Sequence, residues 1–179
     1  MQLNLEPAEL NERIRKVRLL VLDVDGVLTS GALYFSDNGE EIKAFCVLDG
    51  QGIKLLQDSG ISVAIISGRS SPLLAKRAQN LGVTLLYQGR EDKLTALDEL
   101  CLANGFNYSE IAYAGDDLPD IQIIKAVAVG FTVPNAHDSV KAIAHACTER
   151  SGGSGAVREM ADFILQSQKK YETAIARFL

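Results

Sequence analysis

Tryptophan is absent from this 179-residue chain, and histidine occurs only twice. Aromatic residues make up 6% of it, too few to build stacking platforms for single-stranded nucleic acid. The three cysteines, Cys46, Cys101 and Cys147, lie far apart and form no C-x-x-C pair. That excludes a disulfide framework and a zinc site, and predicts reduced thiols. Positive charge is short as well: 18 Lys and Arg against 23 Asp and Glu leave a net charge of −5. Nucleic acid or an anionic membrane would call for a basic face, so neither partner is expected. No apolar run approaches the roughly 18 residues of a membrane span. The first residues, MQLNLEPAELNERIRK, are charged throughout and lack the apolar core of a signal segment, so a cytoplasmic setting is expected.

What is present is an ordinary globular composition, 47% hydrophobic and 23% charged. The length predicts one domain over residues 1–179, without internal repeats. Short apolar runs recur at Val17–Leu22, Ile61–Ile66, Val83–Tyr87, Ile111–Ala114 and Val127–Gly130. The first is nearly continuous, as in a strand covered on both faces. Helical spacing falls between the runs, over Gly52–Ser59, Pro72–Leu81, Lys93–Ala103, Ser139–Ala144 and Val157–Gln168, with a further short helix over Glu6–Lys16. Alternation of this kind predicts an α/β fold: a three-layer, Rossmann-like sandwich around a parallel sheet with right-handed crossovers. One stretch, about residues 31–47, breaks the pattern. Two β-rich runs flank Asp-Asn-Gly there, which predicts a small β-hairpin flap directly after the first strand.

The chemistry-bearing residues fall at strand ends. Asp23 and Asp25 follow the first strand and alternate onto one face, where two carboxylates repel unless a cation joins them or one is protonated. Gly115-Asp116-Asp117-Leu118-Pro119-Asp120 follows a later strand, so it reaches the same carboxyl edge. Asp116 or Asp117 could instead cap a helix. Oxygen donors without histidine or cysteine suit a hard cation, with Mg²⁺ the natural choice. Ser67-Gly68-Arg69 offers a hydroxyl, a backbone free of Cβ and a guanidinium, the parts of a phosphate grip. Lys93 opens a helix, where the helix dipole disfavours a cation, which hints at a task elsewhere.

The order is the specific signal: Asp-x-Asp, a serine after the next strand, a lysine, then Gly-Asp-Asp. DVDGVLT at Asp23–Thr29, SGR at Ser67, Lys93 and GDDLPD at Gly115–Asp120 resemble the four motifs of the haloacid-dehalogenase-like phosphatases. Within that superfamily the chain is similar to the small cap-less branch of 3-deoxy-D-manno-octulosonate 8-phosphate phosphatases, through NGEEIKAF, DGQGIK, LYQG and GGSGAVRE. The resemblance runs from about Val17 to about Gln168. It implies a Mg²⁺-dependent phosphomonoesterase acting on a phosphorylated sugar acid, in sugar-acid metabolism feeding an envelope glycolipid. Asp23 would be the nucleophile, and Asp25 the acid and then the base. Ser67 and Lys93 would hold the phosphoryl oxygens. The metal would rest on Asp23, the Asp25 main-chain carbonyl and Asp116, supported by Asp117 and Asp120. Thr29, Asp49, Gly68, Arg69 and Arg158 are the expected substrate contacts.

The resemblance also implies a homotetramer in which a neighbour helps close the site. The glycine-rich loop and tail, about 151–179, could then enter a partner's site and carry Arg158 there. Two positions depart from the family pattern, Leu48 and Ser154, where relatives carry cations. Each loss removes a contact for a sugar carboxylate, so a nonulosonate 9-phosphate is an alternative substrate. From other classes, a phosphoacceptor signalling domain and a non-catalytic scaffold are the competing readings. The flap and the Asp-x-Asp spacing disfavour the former, and the retained Asp23, Asp25, Ser67, Lys93 and Asp116 the latter.

Overall fold

A computed structural model describes residues 1–179. In chain order the elements are β1 (Gln2–Leu3), α1 (Pro7–Arg15), β2 (Leu19–Leu22), β3 (Tyr34–Phe35), β4 (Glu41–Ile42), α2 (Val47–Asp58), β5 (Ser62–Ile66), α3 (Pro72–Leu81) and β6 (Leu85–Tyr87). They continue with α4 (Lys93–Asn104), β7 (Ile111–Ala114), α5 (Ile121–Ala126), β8 (Val129–Thr132), α6 (Asp138–Lys141), β9 (Ala146–Cys147), α7 (Ala156–Ser167) and α8 (Tyr171–Ile175).

One seven-stranded sheet runs in the order β1-β9-β8-β7-β2-β5-β6. Every pairing in it is parallel except β1 with β9. All residues of β2, β7 and β8 are buried regardless of alternation, because helices cover both faces. On one side α7 packs on α1 and α2, while α4 packs on α5. The expected sandwich is therefore present, with one antiparallel edge strand added. That edge strand and β9 span two residues each, too short to show a period in sequence.

Register builds the functional edge. Leu22 of β2 pairs with Ile65 of β5 and with Ala114 of β7. The residues that follow, Asp23, Ser67 and Gly115–Asp116, thus leave the sheet side by side. From β2 the chain fills one side of the sheet with β5 and β6 and the other with β7 to β9, so this is the point where strand order reverses.

The hairpin flap is present. Tyr34 pairs with Ile42 and Phe35 with Glu41, antiparallel, around a turn closed by Gly39 at φ +79°. Several boundaries differ from expectation, among them the starts of β2, at Leu19 rather than Val17, and of β6, at Leu85 rather than Val83. Helix α2 begins at Val47 rather than Gly52, because Gly50 and Gly52 disguise its first turns. Gly52 serves close packing: a Cβ there would stand 3.0 Å from the Arg158 Cα of α7. Strand β8 starts at Val129 rather than Val127, since the Val127 N–H still closes α5 on the Ile123 carbonyl.

Candidate active site

Asp23 follows β2 directly and is buried. Lys93, the first residue of α4, reaches back to it: Nζ donates to Asp23 Oδ1 at 2.8 Å and to Asp120 Oδ1 at 2.6 Å. The start of α4 is capped by Asp92, whose side chain accepts from Thr95 N, which frees Lys93 to point inward. Asp120 is saturated. Its Oδ1 also accepts from Tyr113 Oη at 2.5 Å, and its Oδ2 accepts from the Asp116 and Asp117 amides at 3.0 and 3.1 Å. Asp117 accepts from Leu118 N at 2.8 Å. The capping reading thus holds for Asp117 and leaves Asp116 free.

Carboxylate oxygens of Asp23, Asp116 and Asp120 all lie within 4.8 Å of one another. Asp116 Oδ1 is buried and has no hydrogen-bond partner. Gly26, at φ +103°, permits this approach: a Cβ there would meet Asp116 Oδ2 at 2.0 Å. Burial pushes Asp23 up to about 6, against the pull of Lys93. Burial also pushes Asp116 up to about 8, and the charges of Asp23 and Asp120 add to the shift. Burial disfavours the Lys93 ammonium, yet the facing charges of Asp23 and Asp120 raise its pKa. Three carboxylates against one ammonium leave two negative charges uncompensated. A divalent cation matches that deficit, and the orphaned Asp116 oxygen supplies a ligand for it.

This charge imbalance has a consequence for stability. Asp23 and Asp116 titrate near 3.8 when exposed and at about 6 and about 8 in the fold. Between those values the folded chain binds more protons than the unfolded chain. Stability of metal-free protein therefore falls as pH rises from about 4 to about 8. Thermal midpoints in chelator should drop from pH 5 to pH 8, and Mg²⁺ should restore the pH 8 value. A flat or rising profile in chelator would contradict the assigned environment.

The cavity above these residues measures about 510 Å³ and has no hydrophobic residue in its wall. Asp25, Ser67, Gly68, Arg69, Glu91 and Pro119 complete its lining. Ser67 is buried, its hydroxyl oxygen accepting from Arg69 N at 3.3 Å. The flap closes one rim: Lys43 Nζ donates to Asp25 Oδ1 and Arg69 Nη2 to Glu41 Oε1 at 3.0 Å.

Three expected substrate contacts are not brought to this cavity. The buried Thr29 hydroxyl binds the backbone of its own turn, donating to Val24 O and accepting from Gly26 N and Gly31 N. Asp49 lies within α2 and accepts from Arg158 N at 2.9 Å, an anion at the N-terminus of α7. Arg158 binds Asp162 one turn along α7 and lines a separate cavity with Leu48 and Arg150. The glycine loop packs within its own chain. Gly152 N donates to Asn135 Oδ1, Asn135 Nδ2 donates to Gly26 O, and Gly153 N donates to Val27 O. The loop is a buttress behind the turn that follows Asp23 in its own chain. Lys43, Glu41, Tyr113 and Asn135 escaped the sequence reading. Only the NGEEIKAF phrase, quoted for its family likeness, marked the first two.

A parallel sheet with an acidic, lysine-bridged cavity at its switch point defines the class. Residues 86–160 match the family model described as haloacid dehalogenase-like hydrolase. The chain is 47% identical over 163 residues to the 3-deoxy-D-manno-octulosonate 8-phosphate phosphatase KdsC of Yersinia pestis, covering 91% of this chain and 87% of that one. A solved structure of 3-deoxy-D-manno-octulosonate 8-phosphate phosphatase from Moraxella catarrhalis, in complex with a magnesium ion, a phosphate ion and a KDO molecule, is 40% identical. It superposes with a TM-score of 0.95, covering 97% of this chain and all of that one. The cobalt-bound deoxy-D-mannose-octulosonate 8-phosphate phosphatase of Haemophilus influenzae is 42% identical, with a TM-score of 0.87 over 90% of this chain and 94% of that one. The chain belongs to the 3-deoxy-D-manno-octulosonate 8-phosphate phosphatase family of haloacid dehalogenase-like hydrolases. Family membership decides for an enzyme over a signalling domain or a scaffold.

Proposed function

We propose that this protein hydrolyses 3-deoxy-D-manno-octulosonate 8-phosphate to the free sugar acid and phosphate, for lipopolysaccharide precursor synthesis. The observation that carries the reading is the convergence of Asp23, Asp116 and Lys93 in an acidic cavity of a chain so similar to phosphatases of that substrate. Asp23, Asp116 and the Asp25 main-chain carbonyl would hold Mg²⁺, which would supply the charge neutralisation that lets a carboxylate approach a phosphate ester.

The residues of the chain divide the rest. Lys93 fixes one oxygen of Asp23 and leaves the other to attack phosphorus. A bond forms between that oxygen and phosphorus as the ester P–O bond breaks, giving an aspartyl-phosphate. Asp25 gives a proton to the leaving alkoxide and then takes one from the water that cleaves the intermediate. Ser67 and Lys93 hold the equatorial phosphoryl oxygens, so that catalysis is largely positioning and charge stabilisation. Gly68 and Arg69, at the cavity mouth, meet the substrate. Tyr113, the Asp116 and Asp117 amides and Lys93 hold Asp120 as a fixed anchor.

A panel of sugar phosphates assayed with Mg²⁺ tests this. The eight-carbon keto-acid phosphate should be the best substrate, and chelation should abolish its turnover. Preference for a nonulosonate 9-phosphate would move the assignment to the alternative suggested by Leu48 and Ser154, and activity indifferent to chelator would remove the metal.

The protein self-associates in this reading, as a homotetramer. The flap supports it, because Tyr34 and Phe35 are 54% and 60% exposed beside exposed Leu33 and Ile42, an apolar patch suited to a second copy. Sedimentation should give four times the chain mass, and Phe35→Glu should lower it; a wild-type monomer contradicts the assembly. A cytoplasmic setting fits three unpaired cysteines. No helix is long and apolar enough to cross a membrane.

A further inference from the structure

The flap does more than cover the cavity rim. Lys43 follows β4 directly, and its side chain is only 4% exposed. It does not line the catalytic cavity. Instead its ammonium is fixed against two flap and body carboxylates, Asp25 Oδ1 and, at 3.4 Å, Glu41 Oε1. Burying an ammonium with so little water contact is costly unless it is paired, so this geometry is specified rather than incidental. Glu41 in turn accepts from Arg69 at 3.0 Å, and Arg69 Nε lies 3.9 Å from Asp25 Oδ2. The two oxygens of Asp25 are therefore made unequal. Oδ1 is occupied by a flap cation, and Oδ2 faces Arg69 at the cavity.

We propose that Lys43 is a positioning residue for the acid–base step, selecting the Asp25 oxygen that works on substrate and tying it to the seated flap. This rests on the phosphatase reading above. The chemistry follows from donor and acceptor inventory. An ammonium donates hydrogen bonds and accepts none. An oxygen held by Lys43 cannot also carry a proton directed along that bond. The proton that Asp25 passes to the leaving alkoxide, as the ester P–O bond breaks and the Asp23–phosphorus bond forms, is therefore carried on Oδ2. Without Lys43 the carboxyl group has no fixed orientation, and the acid is no longer held against the leaving oxygen.

Leaving-group dependence separates this role from a structural one. An alkyl sugar phosphate needs its leaving oxygen protonated, whereas p-nitrophenyl phosphate expels a stable phenolate unaided. In Lys43→Met, kcat/KM for the alkyl ester should fall about 100-fold, the lower range of a general acid's contribution, while that for p-nitrophenyl phosphate should fall less than about threefold. Lys43→Arg, which keeps a cation, should recover most of the alkyl-ester rate. On an Asp25→Ala background, adding Lys43→Met should cost nothing more, because its route of action is already gone. Should the methionine variant fold poorly, Lys43→Ala is read by the same ratio. Equal loss on both esters, no loss on either, or an additive loss on the Asp25→Ala background each overturns the proposal. Wild-type turnover of the two esters tests the phosphatase reading, and the ratio between them in the variants tests Lys43, so either can fail alone.

Discussion

Asp23→Asn should eliminate steady phosphate release, lowering kcat on the order of 10⁴-fold or more, the scale on which enzymes lose rate when a covalent nucleophile is removed. The amide keeps the shape of the carboxyl group but is a poor nucleophile toward phosphorus. The fold should survive. Asp23 is buried, and burial already works against its ionised form, so a neutral side chain removes a desolvation cost. Lys93 keeps Asp120 as a partner at 2.6 Å. The thermal midpoint in chelator should therefore stay level or rise while activity disappears. Intact-mass measurement of protein quenched during turnover should find a phosphoryl adduct on the wild type and none on the variant. Turnover by Asp23→Asn near the wild-type rate would falsify the nucleophile assignment.

A second large effect is expected where no substrate is touched. Gly152→Ala places a Cβ 1.7 Å from the Gly26 carbonyl oxygen and 3.0 Å from that of Thr29. These are backbone atoms of the turn that follows Asp23 and cannot swing aside as a side chain would. The turn between Asp23 and Thr29 must shift, and with it Gly26, which Asp116 approaches closely. A displacement near 1 Å at a reacting group can cost about 100-fold in rate, and overpacking costs about 1–3 kcal/mol in stability. The variant should thus lose roughly two orders of magnitude in kcat with a lowered melting midpoint. Ser154→Ala, in the same loop, should leave both nearly unchanged. Wild-type kinetics for Gly152→Ala would mean the loop is not a buttress.

These expectations rest unequally on sequence and on structure. The Asp23 prediction was accessible from the chain alone. Val17–Leu22 reads as a buried strand, so the acidic pair after it had to emerge at an edge. The motif order Asp23, Ser67, Lys93, Asp116 then names a phosphatase family. Lys93 even carried a local sign of its task, a cation placed where the helix dipole opposes it. The Gly152 prediction was not accessible. Four near-consecutive small residues read as a loose loop, since nothing local distinguishes a glycine kept for flexibility from one kept because another backbone lies against it. The same ambiguity hid the first turns of α2, where Gly52 is pressed against α7.

The sequence by itself determined the alternation of strands and helices, the edge at which the acidic residues emerge and the kind of chemistry they can perform. All three depend on residue type and on spacing within one element or its turn. Tertiary structure alone decided that Lys43 grips Asp25 from the flap, that Asn135 joins the glycine loop to the turn after Asp23, and that Asp49 and Arg158 serve helix α7 away from the cavity. Those contacts join residues about 20 to 110 positions apart. Which of several charged or polar side chains meets which is set by how the layers pack, and one chain read in order contains no distance across the fold.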